Sequence, residues 1–403
     1  MSAPATWYAP LTDPDGDPAQ GLCTIGPMTR IVERDRCPGL LRPYRTVDGN
    51  MIRLRLPGGL VSSAQLMEVA ELARAFANSE VQITSRNNLQ IRALPDPIPC
   101  EFTEAAFATG LMPSPAHERI RTVVCSPLTS IAPVHADLSQ LVRALDAAII
   151  ADPELPGLPG RFLFALDDGS DDVLGEDFDL GYRALPDGQA VVFVGGCPEG
   201  RRIAAEDAVS TLLELAHRFL AVAEAGEKPA WHIRELPNPA DLLDGIGQPC
   251  DLRRPASEHP LPFGAVAGAA HVGIPLGMLD RAQAATIHHL APECGSGQVV
   301  VTPWRSVLIP GAADRLDELA AAGLVTSTGS VWQTLTACYG KPCNNALVDT
   351  RDIAWAVASQ HPEAFPELVH LSGCDRVCGE PGGEHVGLVA PRDAAAVLEA
   401  VVG

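Results

Sequence analysis

The stretch MIRLRLPGGLVSSAQ, residues 51–65, returns in altered form as AAHVGIPLGMLDRAQ, residues 269–283, at an offset of 218. Leu54 and Leu56 alternate before Pro57 in the first copy, as Val272 and Ile274 do before Pro275 in the second. Gly59 and Leu60 match Gly277 and Met278, and each copy ends at a threonine, Thr84 or Thr302. Ser62 with Gln65, and Asp280 with Gln283, have capping-box spacing, in which each side chain satisfies a free N–H at a helix start. Behind these caps Leu66, Val69, Ala70, Ala73 and Phe76 recur at helical spacing, and Ile287 and Leu290 stand where Val69 and Leu72 do. The short β-branched runs 81–84 and 299–302 predict strands. Each copy reads as strand–helix–strand, and one offset held over about ten positions without a gap marks a duplication.

Each copy is followed by a longer α/β segment. Asp137 and Gln140 predict a further capping box before LVRALDAAII, FLFALDDG and AVVFVGG read as strands, and 206–223 reads as a helix. The Pro-rich stretch 251–263 reads as a linker. The expected organisation is an N-terminal segment (1–40), a first half-repeat (41–115), a first α/β lobe (116–250), the linker, a second half-repeat (264–325) and a second lobe (326–403).

At 403 residues the chain exceeds one ordinary hydrophobic core, and 46% apolar with 20% charged residues describes a globular protein. It has no apolar run long enough to span a membrane, and MSAPATWYAPLTDPDGDPAQ has no signal-peptide pattern, so a cytoplasmic location is expected. In a reducing compartment its 11 cysteines point to packing, metal ligation or redox chemistry before disulfides. A net charge of −21 sets the whole-chain field against nucleic acid. Arginines clustered on so acidic a chain point to a specific anionic ligand.

Four cysteines carry the clearest chemistry. Cys338 and Cys343 lie in TACYGKPCNNAL, and Cys374 and Cys378 in LSGCDRVCGE. Two close pairs of thiols suit an iron–sulfur cluster or a zinc ion, with free thiols the third reading; the loose C-x4-C and C-x3-C spacing fits a cluster better than a zinc ribbon. Arg53 and Arg55 are two apart in MIRLRLPGG and can share a strand face, as can Arg86, Asn88, Gln90 and Arg92 in TSRNNLQIRAL if that strand is regular. Arg121 sits in RTVVCSP and Arg161 in LPGRFLF. Such a surface suits a flat polycarboxylate. The histidines are dispersed, with no two-His metal spacing, and no P-loop, dinucleotide fingerprint or nucleophile elbow is present.

The doubled unit, RLRLPGG, TSRNNLQIR, RTVVC and the paired cysteines together resemble the nitrite/sulfite reductase superfamily over about residues 36–380. The resemblance implies an α+β architecture of two ferredoxin-like half-repeats alternating with two α/β lobes. RDRCPGLLRP (34–43) and RFLFALDDG (161–169) are most similar to the precorrin-3B synthase branch, the cobalamin-pathway monooxygenases. On that likeness Cys338, Cys343, Cys374 and Cys378 hold a [4Fe–4S] cluster, with room for a second, non-haem iron to activate dioxygen. Arg55, Arg86, Arg121 and Arg161 fall where the superfamily places the basic groups that pair with a tetrapyrrole, here the substrate precorrin-3A, and Arg53, Asn88 and Gln90 join them as neighbours on the same strand faces; dioxygen is the oxidant, and an electron donor is required. The likeness assigns no general acid or base. Two departures stand out: C-x4-C where the superfamily has C-x5-C, and Leu163 where its reductases place a second basic residue after Arg161. A sirohaem-dependent nitrite or sulfite reductase, and a non-enzymatic iron–sulfur or tetrapyrrole-binding protein, are the two other readings the same residues allow.

Overall fold

The computed structural model describes residues 34–403 except 176, 227, 256–259 and 382. Most of the expected N-terminal segment, and the centre of the expected linker, lie outside the described residues. The first half-repeat comprises β1 (Tyr44–Thr46), β2 (Gly49–Leu54), β3 (Leu60–Ser62), α1 (Ser63–Phe76), β4 (Glu80–Ile83), β5 (Leu89–Leu94) and α2 (Cys100–Ala108). The lobe that follows carries β6 (Val123–Cys125), α3 (Ser139–Ala151), β7 (Phe164–Asp167), β8 (Leu180–Ala184), β9 (Gln189–Val194), β10 (Glu199–Ala204), α4 (Ala208–Ala223) and β11 (Gln248–Arg253). The second half-repeat has β12 (Gly264–Val266), β13 (Ala269–Gly273), β14 (Met278–Asp280), α5 (Arg281–Cys294), β15 (Gln298–Val301), β16 (Ser306–Ile309) and α6 (Leu316–Ala321). The chain closes with β17 (Leu335–Ala337), α7 (Thr350–Gln360), β18 (Val369–Ser372), β19 (Val386–Val389) and α8 (Ala394–Val402). The α+β fold expected from the sequence is present.

The two half-repeats exchange strands. One sheet runs β1-β2-β5-β4-β14 and its twin β12-β13-β16-β15-β3, so each is completed by a strand of the other copy. Both capping boxes form: Ser62 and Asp280 each accept from the N–H three residues on, and Gln65 and Gln283 return the bond. Helices α1 and α5 then bury Leu66, Val69, Ile287 and Leu290 in one continuous core with Ile52, Leu54, Val272 and Val307. Left-handed backbone recurs at the same offset as the sequence: Gly58 and Leu276 (φ 65° and 55°), Ser79 and Gly297 (68° and 77°), Asn87 and Arg305 (46° and 55°), Ala93 and Gly311 (59° and 77°). Non-glycine residues rarely hold such angles unless the surroundings fix them, so the match is a second, independent mark of duplication.

Two local expectations differ. Helix α3 has Leu138, not Asp137, at its cap; Asp137 Oδ1 accepts instead from the N–H (2.8 Å) and hydroxyl (2.5 Å) of Ser139, a local turn that starts the helix later. The expected linker begins inside β11, because Arg253 pairs with Glu199 across an antiparallel ladder whose edge needs a partner. The six-stranded sheet β11-β10-β9-β8-β7-β6 and the three-stranded parallel sheet β17-β18-β19 carry the two lobes. Among the described residues no helix is long and apolar enough to cross a membrane.

Gly59 (φ 72°) leaves no room for a side chain, since a Cβ there would stand 2.0 Å from the carbonyl oxygen of Val301 in the other half-repeat. Gly59→Ala is expected to lower stability by about 2 kcal/mol or more, through left-handed strain plus separation of the β3–β15 ladder. Denaturant unfolding checks this: a loss under about 0.5 kcal/mol, the ordinary surface value, would show that the copies do not pack this closely.

Candidate functional site

Strands β2 and β5 pair so that Arg53 lies opposite Gln90. Arg53 Nε and Nη2 donate to Gln90 Oε1 at 3.3 and 2.9 Å, and Gln90 Nε2 donates to Gln82 Oε1 on β4 at 2.6 Å. Three strands thus fix one guanidinium. Arg86 Nη1 donates to the Arg161 carbonyl at 3.0 Å. Burial lowers the pKa of Arg53, with the Cys37 thiol opposing and the Arg86 and Arg161 cations reinforcing the shift. Arg86 is lowered by burial too, against the pull of Asp179 and Cys37, with Arg161 and Arg234 adding to it. Among the described residues none of Arg53, Arg86 and Arg161 has a carboxylate within 4.0 Å. Arg53 and Arg86 are half-buried and Arg161 is exposed beside them, a grouping of cations that an anion would relieve.

The other expected members of the seat are committed elsewhere. Strand β2 ends at Leu54, so alternation does not extend to Arg55, which turns inward. It is 1% exposed, with Nη1 on the Pro38 and Arg53 carbonyls and Nη2 on that of Arg119, each at 3.1 Å. Burial, then Arg53, pulls its pKa down to about 9. Arg121 is held bidentately by Asp146 of α3, at 2.7 and 2.8 Å, and donates to the Leu111 carbonyl at 3.1 Å. Asn88 Oδ1 accepts from the Leu56 N–H at 3.1 Å. Arg86 and Asn88 belong to the turn that Asn87 makes at φ 46°, so that stretch is not the regular strand a shared face required. These three side chains brace the seat from behind.

Segment 35–41 walls the site. Asp35 pairs with Arg119 at 3.0 Å and accepts from the Gly160 N–H at 2.7 Å, while Glu118 accepts from the Leu40 and Leu41 N–H groups at 2.7 and 3.2 Å. Cys37, in this wall, has its thiol pKa raised by burial and by Asp35, against Arg53, Arg55 and Arg161. Neither Cys37 nor Arg234 was singled out by sequence; their place beside the arginines depends on contacts between distant segments.

The four C-terminal cysteines occupy two loops, one after β17 and one after β18. Cys338 Sγ accepts from the Gly373 N–H at 3.1 Å, and Cys343 closes a turn onto the Gly340 carbonyl at 2.9 Å. The Cys378 thiol is pushed up by burial and then by Cys343, Cys338 and Cys374, with Arg376 opposing, so the four sulfurs act on one another. Four cysteine sulfurs grouped in this way are a donor set that a cationic centre would stabilise in the thiolate form. Among the described residues no three His, Cys, Asp or Glu side chains converge tightly enough to share one metal ion. Arg53 lies in the field of Cys378 as well as of Arg86 and Arg161, so the arginine seat and the last cysteine border one region.

The first cysteine loop is latched to the first half-repeat. Arg92, read from sequence as a neighbour of Gln90 on the seat, stacks on Tyr339, with Cζ 3.9 Å from the ring centroid, and donates to Asp48 and to the Pro342 carbonyl. Asn78 donates to the Tyr339 hydroxyl at 2.8 Å, and Arg351, on the ring's other contact, pairs with Glu80.

Residues 42–97 match the family described as nitrite/sulfite reductase ferredoxin-like half domain. Over 391 residues the chain is 26% identical to the ferredoxin–nitrite reductase of Synechococcus elongatus, covering 85% of this chain and 76% of that one. It is 22% identical over 387 residues to precorrin-3B synthase of a Sinorhizobium species, covering 89% and 81%. The structure of the Mycobacterium tuberculosis NirA protein shares the fold, with a TM-score of 0.65 at 20% identity over 82% of this chain and 69% of that one. The chain is nitrite/sulfite reductase-like and its relatives carry the names of oxidoreductases. The precorrin-3B synthase stands among ferredoxin–nitrite reductases of equal or higher identity.

Arg121→Met leaves Asp146 without its cation in a largely buried position. Because Asp146 keeps some contact with water, the expected loss of stability is about 2 kcal/mol, below the usual range for a broken buried pair. Urea unfolding of the variant checks it; wild-type stability would return Arg121 to the list of free cradle residues.

Proposed function

We propose that this chain is a tetrapyrrole oxidoreductase in which Arg53, Arg86 and Arg161 seat a polycarboxylate macrocycle against an iron–sulfur cluster held by Cys338, Cys343, Cys374 and Cys378, and that the macrocycle is its substrate, precorrin-3A. The observation that carries this is that the carboxylate-free arginines border the cysteine loops, with half-buried Arg53 in the field of the exposed Cys378. Arginine forks bind carboxylates in a fixed plane, so several together orient a flat ring and present one meso carbon to the cysteine side. Gln90 and Gln82 hold Arg53 in that orientation before the ligand arrives. Buried Leu163 supplies no charge where the reductases of the superfamily have a second basic group, which favours a bound substrate over resident sirohaem.

When bound, the cluster supplies electrons one at a time. Hydroxylation at C-20 places one atom of dioxygen on the macrocycle and releases the other as water, with two electrons and two protons from the donor; a neighbouring acetate side chain closes the γ-lactone. In this reading the residues described here bind and orient the substrate. A second reading, a sirohaem-dependent nitrite or sulfite reductase, draws support from the ferredoxin–nitrite reductases among the relatives.

The visible spectrum of anaerobically purified protein separates the two: a broad cluster absorption alone is expected, and sirohaem Soret and Q bands would transfer the assignment to the reductase. Incubating reduced protein with precorrin-3A and then dioxygen should yield a product one oxygen atom heavier; tight binding with no product would leave a carrier. Arg86→Ala should weaken tetrapyrrole binding about tenfold, the loss of one charge-assisted contact, as read by spectral titration. Cys378→Ser should lose the cluster or hold it less stably, and native iron content in that variant would remove Cys378 from the ligand set.

A further inference from the structure

The turn that links β4 to β5 and its counterpart between β15 and β16 are built alike, and each sends one side chain into the lobe that follows it. In the first, the Thr84 N–H donates to the Asn88 carbonyl at 2.9 Å and Asn87, at φ 46°, donates from Nδ2 to the carbonyls of Leu56 (2.7 Å) and Val123 (3.3 Å), at the start of β6. In the second, the Thr302 N–H donates to the Ser306 carbonyl at 2.9 Å and Arg305, at φ 55°, donates from Nη2 to the carbonyl of Gly379 at 2.6 Å. Where the first copy needs only an amide to tie a strand, the second places a cation beside Cys378. Gly379 is shaped to receive it: φ is 80°, and a Cβ would stand 2.5 Å from Arg305 Nη2 and 4.0 Å from His370 Cε1.

We propose that Arg305 is a positioning residue of the sulfur-held centre, which pins the Cys378–Gly379 backbone to the second half-repeat and, by its charge, raises the centre's reduction potential and slows its loss. The inference rests on the reading of Cys378 as a ligand. A non-glycine residue held at positive φ carries strain that the surrounding contacts must offset, and the short bond to Gly379 is one such contact. Reduction adds negative charge to the cluster, and a neighbouring cation favours the reduced form. Holding the Gly379 carbonyl also keeps the exposed Cys378 loop from swinging away, the motion by which a chelator or dioxygen would reach the irons.

The test compares wild-type protein, purified with its iron, with Arg305→Gln, Arg305→Lys and Gly379→Ala. Two quantities are read: the midpoint potential by spectroscopic redox titration, and the rate at which cluster absorption decays in air. Arg305→Gln should lower the midpoint and decay several-fold faster. Arg305→Lys, which keeps the charge but not the fork, should hold the midpoint near the wild-type value while decaying faster. Gly379→Ala, whose methyl group displaces the guanidinium, should decay faster as well. Wild-type potential and decay in Arg305→Gln would overturn the inference while leaving the ligand assignment intact. Should Arg305→Gln not fold, wild-type decay in the other two variants would overturn it equally. Wild-type protein that carries neither iron nor sulfide would remove the ligand reading and this inference together.

Discussion

Strand β3 of the first half-repeat hydrogen-bonds β15 of the second, and β14 of the second returns the pairing on β4 of the first. Neither copy can complete its sheet alone, and the core is one body that draws on both. The consequence is positional. The turns after β4 and β15, and the strands β2 and β5, are fixed relative to one another by backbone ladders before any lobe contact is made, so the lobes dock onto a frame whose geometry is already set. Gly59 and Gly277 stand at the two symmetric points where one copy's backbone runs under the other's carbonyl, and a side chain at either would wedge the exchange open.

On this frame the arginines divide by how their charge is met. Arg121 has Asp146, Arg92 has Asp48 and Arg119 has Asp35. Arg55 has only carbonyl oxygens and yields part of its proton affinity to burial. Among the described residues Arg53, Arg86 and Arg161 have no carboxylate partner, Arg53 and Arg86 being half-buried and Arg161 exposed, although the chain has 50 acidic residues against 29 basic ones to offer partners. A chain this acidic that keeps its carboxylates away from three neighbouring guanidiniums leaves their charge for another anion to meet, which is what the proposed binding site requires.

The duplication was legible because its marks are local. Capping boxes, Pro-Gly turns and strand ends are read over three to five residues, and both boxes form as the spacing predicts. The arginine face was legible only in part. Alternation holds inside a strand, but β2 ends one residue before Arg55 and β5 begins after Asn88, so the backbone leaves the strand where the pattern seemed to continue. The grouping of four cysteines was visible, while the choice between a cluster and zinc is one that spacing alone does not encode. Asp137 failed as a cap because a serine two residues on offered its side chain a nearer partner. Arg305 carried a signal that went unread: it overlays Asn87 at the repeat's own offset, and that overlay identifies a turn position directed into a lobe.

Gln90 and Arg92 sit two residues apart on β5, yet one steadies Arg53 and the other stacks on Tyr339, next to Cys338. The arginine grouping and the first cysteine loop are therefore tied to a single strand in the middle of a five-stranded sheet. The second cysteine loop is tied to the twin sheet through Arg305 and Gly379. Because the two sheets are locked by strand exchange, the distance between the arginine grouping and the two cysteine loops is set by ladder hydrogen bonds in the interior, whatever ligands these residues take. A site whose partners must stay within electron-transfer reach gains from being mounted on rigid elements, since a loop-borne ligand drifts and a strand-borne one does not. The latch on Tyr339 and Pro342 holds the loop between Cys338 and Cys343 at two points, so the placement of Cys343 depends on the first half-repeat as well as on the turn that carries it.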